Sequence, residues 1–308
     1  MGKHRQSRAG FANWRISRRA GIIPFYSDPE HFNRDDARGR VSTETHTYSP
    51  ATPGHLRQLW SYRELLRNLV ERDIKVRYKR SVLGFAWMML NPLITMIVFT
   101  VIFREVFGME QDYPLYVIAA LLFYNFFSLG SSQGLNSVVA SGGLIRKVAV
   151  PKAVFPLASV VANLVNFGLS LVPLAAVMIF TGARITPALL VLPLAVAAGF
   201  MFTFGVALAL SAMNVFYRDV RWFYDSALLL LFYMTPIIYP AKVVPERFRI
   251  VVAANPLTRL LELFRAPIYE GRTPSALEIA IGLAIGAGTL VFGWVVFHRR
   301  ENDFINYV

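Results

Sequence analysis

Between Arg80 and Arg104 the chain carries no Asp, Glu, Lys or Arg. The same holds between Asp112 and Arg146, Lys152 and Arg184, Arg184 and Arg218, Asp225 and Lys242, and Glu278 and Arg299. A helix of roughly 20 mostly apolar residues crosses the hydrocarbon core of a bilayer. Five of these windows are near that length or longer, and the Asp225 to Lys242 window reaches it only when Trp222 to Asp225 form its first turn. The pattern predicts an all-α integral membrane protein with six transmembrane helices, at about residues 82–107, 115–135, 153–181, 187–215, 221–239 and 275–297. A soluble protein with buried helices is the alternative, and six charge-free windows weigh against it.

Two other stretches are periodic rather than uniformly apolar. Over residues 56–80, Leu59, Tyr62, Leu66, Leu69, Val70 and Ile74 form one stripe, and Arg57, Arg63, Arg67, Arg72, Lys75 and Arg77 fill the opposite face. This predicts an amphipathic helix in the membrane interface, its basic face toward anionic lipid headgroups; an ordinary amphipathic helix packed on another domain is the alternative. Between spans 5 and 6, Leu257, Leu260, Leu261, Phe264 and Ile268 follow helical spacing, with Arg259, Glu262 and Arg265 falling between them. That reads as a helix lying on or dipping into the outer interface. Residues 1–55 are polar, Arg-rich and punctuated by Pro24, Pro29, Pro50 and Pro53, with no apolar signal-peptide core. They are expected to form a disordered basic cytoplasmic arm; a translation start at Val41 is the competing reading. The expected organisation is therefore arm (1–55), interface helix (56–80) and six-span domain (81–308).

Charge sets the orientation. Basic residues concentrate in cytoplasmic loops. Residues 1–80 hold 17 Lys/Arg against 8 Asp/Glu. The loop with Arg104, Glu105, Glu110 and Asp112 is acidic, and the next, with Arg146, Lys147 and Lys152, is basic. Both termini are expected in the cytoplasm. The segment from Lys242 to Arg272, with six basic and three acidic residues, disagrees with its outside position. The net charge of +13 is thus read as membrane topology; no aromatic-plus-basic nucleic-acid platform accompanies it.

Several chemistries find no residues to carry them. There is no G-x-x-x-x-G-K-[ST] loop for ATP, and Gly142-Gly143 runs on into Leu144, Ile145 and Arg146. The five histidines lie in the arm or at the tail edge, so no metal site is expected, and there is no cysteine. No pair of acids falls within a span to relay ions. Asp225 is the one candidate, and a helix-start acid near the positive end of the dipole explains it as well. No catalytic residue is expected, and driven transport needs an energy source on another chain.

Four strings are more specific than hydropathy. They are Asp73-Ile74-Lys75-Val76-Arg77-Tyr78-Lys79-Arg80-Ser81-Val82-Leu83-Gly84 with Trp87 and Asn91-Pro92; Arg146-Lys147-Val148-Ala149-Val150-Pro151; Asn214-Val215-Phe216-Tyr217-Arg218-Asp219-Val220; and Thr235-Pro236-Ile237-Ile238-Tyr239-Pro240 followed by Asn255-Pro256-Leu257. In order and place they resemble the ABC-2 type permeases that export polysaccharide (O-antigen, capsule and teichoic acid) across the bacterial inner membrane. The likeness runs from about Leu59 to the carboxyl end; the arm has no counterpart.

The resemblance implies a homodimer of this chain, docked on two separate ABC ATPase subunits that hold the ATP and Mg; this chain needs no cofactor. The first inside loop would be the coupling helix, with Gly142 and Gly143 breaking the span, Leu144, Ile145 and Val148 as apolar contacts and Arg146 and Lys147 meeting acids on the ATPase. Arg218 and Asp219 would form a second docking point. The segment after Tyr239 would be a pair of short re-entrant outer helices broken at Asn255-Pro256. Arg67, Arg72, Lys75, Arg77, Lys79 and Arg80 would face the pyrophosphate of a polyprenyl-diphosphate-linked glycan, or equally membrane lipids. Phe123, Tyr124, Phe126, Phe127, Tyr224, Phe232 and Tyr233 are candidates for an aromatic glycan path, with helix packing and interfacial belts as alternatives. Export of a small molecule or lipid on the same fold, a non-ABC glycolipid flippase and a membrane glycosyltransferase are the competing functions; the last lacks a carboxylate-bearing catalytic loop.

Overall fold

The structure, a computed structural model, describes residues 62–78, 84–102, 113–148, 150–183, 185–240 and 243–307. The expected arm, Lys79, Arg80 and the acidic loop around Arg104 lie outside the described residues. Among the described residues every regular element is helical. In chain order the α-helices are α1 (Arg63–Tyr78), α2 (Trp87–Val101), α3 (Tyr113–Ala140), the single turn α4 (Gly142–Ile145), α5 (Val154–Phe180), α6 (Leu192–Phe216), α7 (Val220–Met234), α8 (Glu246–Ala254), α9 (Pro256–Arg265) and α10 (Ala276–Arg300). Four helical stretches are long and apolar enough to cross a membrane: Tyr113–Ala140, Val154–Phe180, Pro187–Phe216 and Ala276–Asn306. Helices α2 and α7 are apolar but only 15 residues each, about 22 Å at 1.5 Å per residue.

Helix α3 is the hub. It packs on α2, α5, α6, α7 and α9; its second half leaves Asn125, Ser128, Leu129, Ser132, Gln133 and Asn136 partly open along one side, whereas every position from Leu115 to Tyr124 is buried. A helix apolar all round is one buried on all sides. α1 lies across α5, its expected stripe turned onto the bundle: Leu69 is buried, and Tyr62, Leu66 and Val70 pack against the core.

The closest crossing joins α6 and α10. A Cβ added at Gly286 would stand 2.6 Å from the Ala198 carbonyl oxygen, and Cβ atoms at Gly205 and Gly293 would run into the Thr289 and Gly205 backbones. Small residues let helix backbones approach where lipid offers no hydrophobic push to drive association. α10 starts on a capping box, Ser275 Oγ accepting from the Glu278 N–H and the Glu278 carboxylate from the Ser275 N–H. It ends on His298, Arg299 and Arg300, which suit its negative pole.

At the α9 end, α7 stops at Met234, one residue before Thr235 turns extended ahead of Pro236. Three carbonyls just past this break are met by side chains. Tyr113 donates to Ile238 O (2.6 Å), Tyr116 to Tyr239 O (2.9 Å) and Arg265 Nη2 to Pro236 O (2.9 Å). Asn255 separates α8 from α9 at the expected break, its Oδ1 accepting from the Leu257 N–H and its Nδ2 donating to Thr235 Oγ1. Leu257, Leu260, Leu261, Phe264 and Ile268 are all buried, as their spacing requires.

Candidate docking and substrate-contact site

At the opposite end, α3 terminates at Ala140 and the chain turns through Ser141 into α4. Gly142 is buried, while Gly143 stands in open space. Ile145 is buried and Leu144 packs partly on the core, so these two anchor the turn. Arg146, Lys147 and Val148 project from it, exposed. The turn between α6 and α7 presents Arg218 and Asp219, also exposed. Asp219 occupies the N-cap position of α7 without capping it through its side chain.

The carboxyl tail joins the ends of the two turns. After α10 a 3-10 helix, Glu301–Asn306, buries Phe304 completely. Its ring meets Phe216 at 5.9 Å and Phe297 at 5.2 Å, and Tyr307 meets Phe216 at 4.9 Å. Lys152 donates to the Glu301 carbonyl and sits 5.7 Å from the Phe304 ring. Burial pushes the Lys152 amine below its usual 10.5, against the pull of Glu301 and Asp303.

The α1 cations are not equivalent. Arg67 and Lys75 both pair with Glu71, at 3.2 and 3.1 Å, one helical turn away on either side. Lys75 first and then Arg67 hold the Glu71 carboxyl below its ordinary 4.5. Arg72 pairs with Asp73 at 3.0 Å. Arg77 turns inward: its Nη atoms donate to Asn163 Oδ1 (3.2 Å) and Gln133 Oε1 (2.5 Å), and Asn163 Nδ2 donates to the same Gln133 oxygen (2.9 Å).

Of the aromatic candidates, Phe123 packs on Phe264, Phe126 on Phe167 and Phe127 on Phe202, at 5.3 to 5.4 Å, inside the single chain. Tyr124 donates to Leu228 O and meets Phe232 edge-on at 5.3 Å. Tyr224 donates to Ser131 Oγ at 2.6 Å. Tyr233 is the most exposed of the seven. Sequence reasoning missed Tyr113, Tyr116, Gln133, Asn163 and Asn166. Amides deep within charge-free windows were the available signal for the last three.

Long apolar helices bundled round α3, with a cationic turn at one end and a broken, tied-down segment at the other, have the build of a membrane permease. The chain belongs to the ABC-2 type transporter family, whose model matches residues 64–269. It is 32% identical over 255 residues to the O-antigen export system permease protein RfbA of Myxococcus xanthus, covering 81% of this chain and 97% of that protein. It is 31% identical over 245 residues to the protein of the same name in Klebsiella pneumoniae, covering 78% and 93%. Against the polysialic acid transport protein KpsM of Escherichia coli it is 20% identical over 239 residues, covering 76% and 92%.

Proposed function

We propose that this chain is the membrane-spanning permease subunit of an ATP-driven exporter that moves a lipid-linked surface polysaccharide from the cytoplasm outward. The observation that carries this reading is the near-complete coverage of the O-antigen permeases at about one-third identity. In this reading α2 and α7 complete a set of six spans, both termini are cytoplasmic, and α8 and α9 form a re-entrant pair at the outer face. The tied carbonyls of Pro236, Ile238 and Tyr239 support that placement, since non-helical backbone at membrane depth must find partners within the protein.

Two copies pair, and two separate ATPase chains dock beneath them. The exposed apolar flank of α7, with Trp222, Phe223, Leu229 and Leu230, supports a second copy as its cover. Arg146, Lys147 and Val148 reach the ATPase while Ile145 holds the turn to the bundle. Arg218 and Asp219 form the second contact. ATP-driven closure of the partner pushes α4, the push passes to α3 and α5 on either side of it, and a path opens between the two permease chains. The polar edge of α1 meets the diphosphate of the lipid carrier, through Arg67, Arg72 and Lys75, and Tyr233 and Phe232 offer ring faces to the passing sugars.

Affinity purification of the tagged protein in mild detergent tests this, with mass spectrometry of what accompanies it. We expect a stoichiometric soluble ATPase chain, lost when residues 144–148 are replaced by Gly and Ser while the variant still elutes as a folded protein. Purification of the chain alone, together with unchanged surface glycan in a deletion strain, would overturn the proposal.

A further inference from the structure

A cavity of about 550 Å³ opens between α1, α2, α3 and α5, within the roughly 300–1,000 Å³ range of ligand sites. Its base is the Arg77, Gln133 and Asn163 cluster, where every amide oxygen and both Nη atoms are engaged. Asn163 Nδ2 also donates to Ser159 O at 2.8 Å. One turn further along α5 lies Asn166, and it is different. Its side chain lines the cavity and is more than nine-tenths buried, yet neither its Oδ1 nor its Nδ2 has a hydrogen-bond partner.

Asn166 is twelve residues into α5, which starts at Val154. At 1.5 Å per residue it is on the order of 18 Å from that end, near the middle of a hydrocarbon core about 30 Å thick. An unsatisfied amide at such a depth is expensive. The carboxamide carries acceptor and donor side by side, the complement of a hydroxyl or of two neighbouring hydroxyls. Around it are the rings of Trp87, Phe126 and Phe167, whose faces suit the C–H face of a sugar.

Charge narrows the ligand. Among the described residues lining the cavity there is one cation, Arg77, and no carboxylate. The Arg77 fork is turned to two neutral amide oxygens rather than held open for the bidentate grip that phosphate favours. The cavity is built for a neutral polar group with hydroxyls.

We propose that this cavity is a subsite for one uncharged sugar ring of the lipid-linked substrate, read by the Asn166 amide and bracketed by Trp87, Phe126 and Phe167. The inference rests on the exporter reading above and adds a place where the sugar, rather than the diphosphate, is recognised. The cavity is open to one side, so the ring is held in passing and not locked in.

Binding to the full chain in phosphatidylcholine nanodiscs tests it. The probes are radiolabelled prenyl diphosphates bearing N-acetylglucosamine, galactose or mannose, against the same prenyl diphosphate without sugar. At least one glycosylated probe should bind wild type roughly tenfold tighter than the bare lipid, the worth of one to two buried hydrogen bonds. Asn166→Leu should erase that preference and leave affinity for the bare lipid unchanged. The same variant should melt at or above the wild-type temperature, because it removes an unpaired buried amide. Equal binding of all four probes by wild type would overturn the subsite, as would an undiminished sugar preference in Asn166→Leu. Either result leaves the ATPase co-purification untouched, so the failure of the subsite and the failure of the exporter reading are distinguishable.

Discussion

The α6–α10 seam and the flank of α7 are held by opposite means. Along the seam, Gly205, Gly286 and Gly293 bring one backbone onto another with no side chain between them. Contact there is close and made of many small dispersion terms. α7 touches α3 through a few hydroxyls and one ring contact: Tyr224 to Ser131 at 2.6 Å, Tyr124 to Leu228 O, a long 3.5 Å contact from Ser132 to Asp225, and Tyr124 edge-on to Phe232 at 5.3 Å. Tyr224 is the only side chain buried on α7, and Trp222 and Phe223 are about three-quarters exposed, at 71% and 76%. A permease has to keep a frame and move a wall. The seam has the properties of the first, and α7, lightly tethered and apolar outside, has those of the second.

Substitutions that exchange these properties test the contrast. The largest effect is expected from Gly293→Leu, which must drive α6 and α10 apart and should cost ~3 kcal/mol; loss of the folded peak in size-exclusion chromatography would show it. Gly288→Ala, on the same helix but with nothing within 4 Å of the new methyl, should elute and melt as wild type does. A moderate effect is expected from Tyr224→Phe, which removes one hydrogen bond between helices and should cost ~0.6 kcal/mol, read as a small drop in melting temperature. Arg221→Gln breaks only the exposed 3.9 Å pair with Asp225 and should lie within ~0.5 kcal/mol of wild type. If Tyr224→Phe proved as damaging as Gly293→Leu, the frame-and-wall division would be wrong.

Periodicity alone makes α9 legible in the chain. Leu257, Leu260, Leu261, Phe264 and Ile268 repeat at helical intervals and all five are buried. The break at Asn255-Pro256 is equally plain, because the proline decides it locally; the break expected at Gly142-Gly143 falls instead at Ser141, and the two glycines open α4 in helical conformation. Arg265 is the exception: its charge groups it with Arg259 and Glu262 on the polar face, and the fold buries it. It is 5% exposed, stacked 3.7 Å above the Tyr116 ring and bonded to Pro236 O. At about 100° per residue it lies roughly 40° from Leu261, so its angle is informative and its charge misleading. The pairing of Arg67 and Lys75 with Glu71 also follows from spacing, whereas Arg77 reaching Gln133 and Asn163, 56 and 86 residues away, does not. Distant partners come from how helices stack, which a one-dimensional pattern does not contain.

The seam also imposes an order on biosynthesis. Chains leave the ribosome amino end first, so α6 enters the bilayer with its glycine-lined groove empty while α7, α8 and α9 are still being made. Its mate, α10, comprises the last long helix of the described chain, Ala276–Arg300. The seam therefore closes only after α7, α8 and α9 have been made. A nascent chain that stalls before Ala276 presents the cell with a bare groove at Gly205, a feature by which an unfinished copy differs from a finished one.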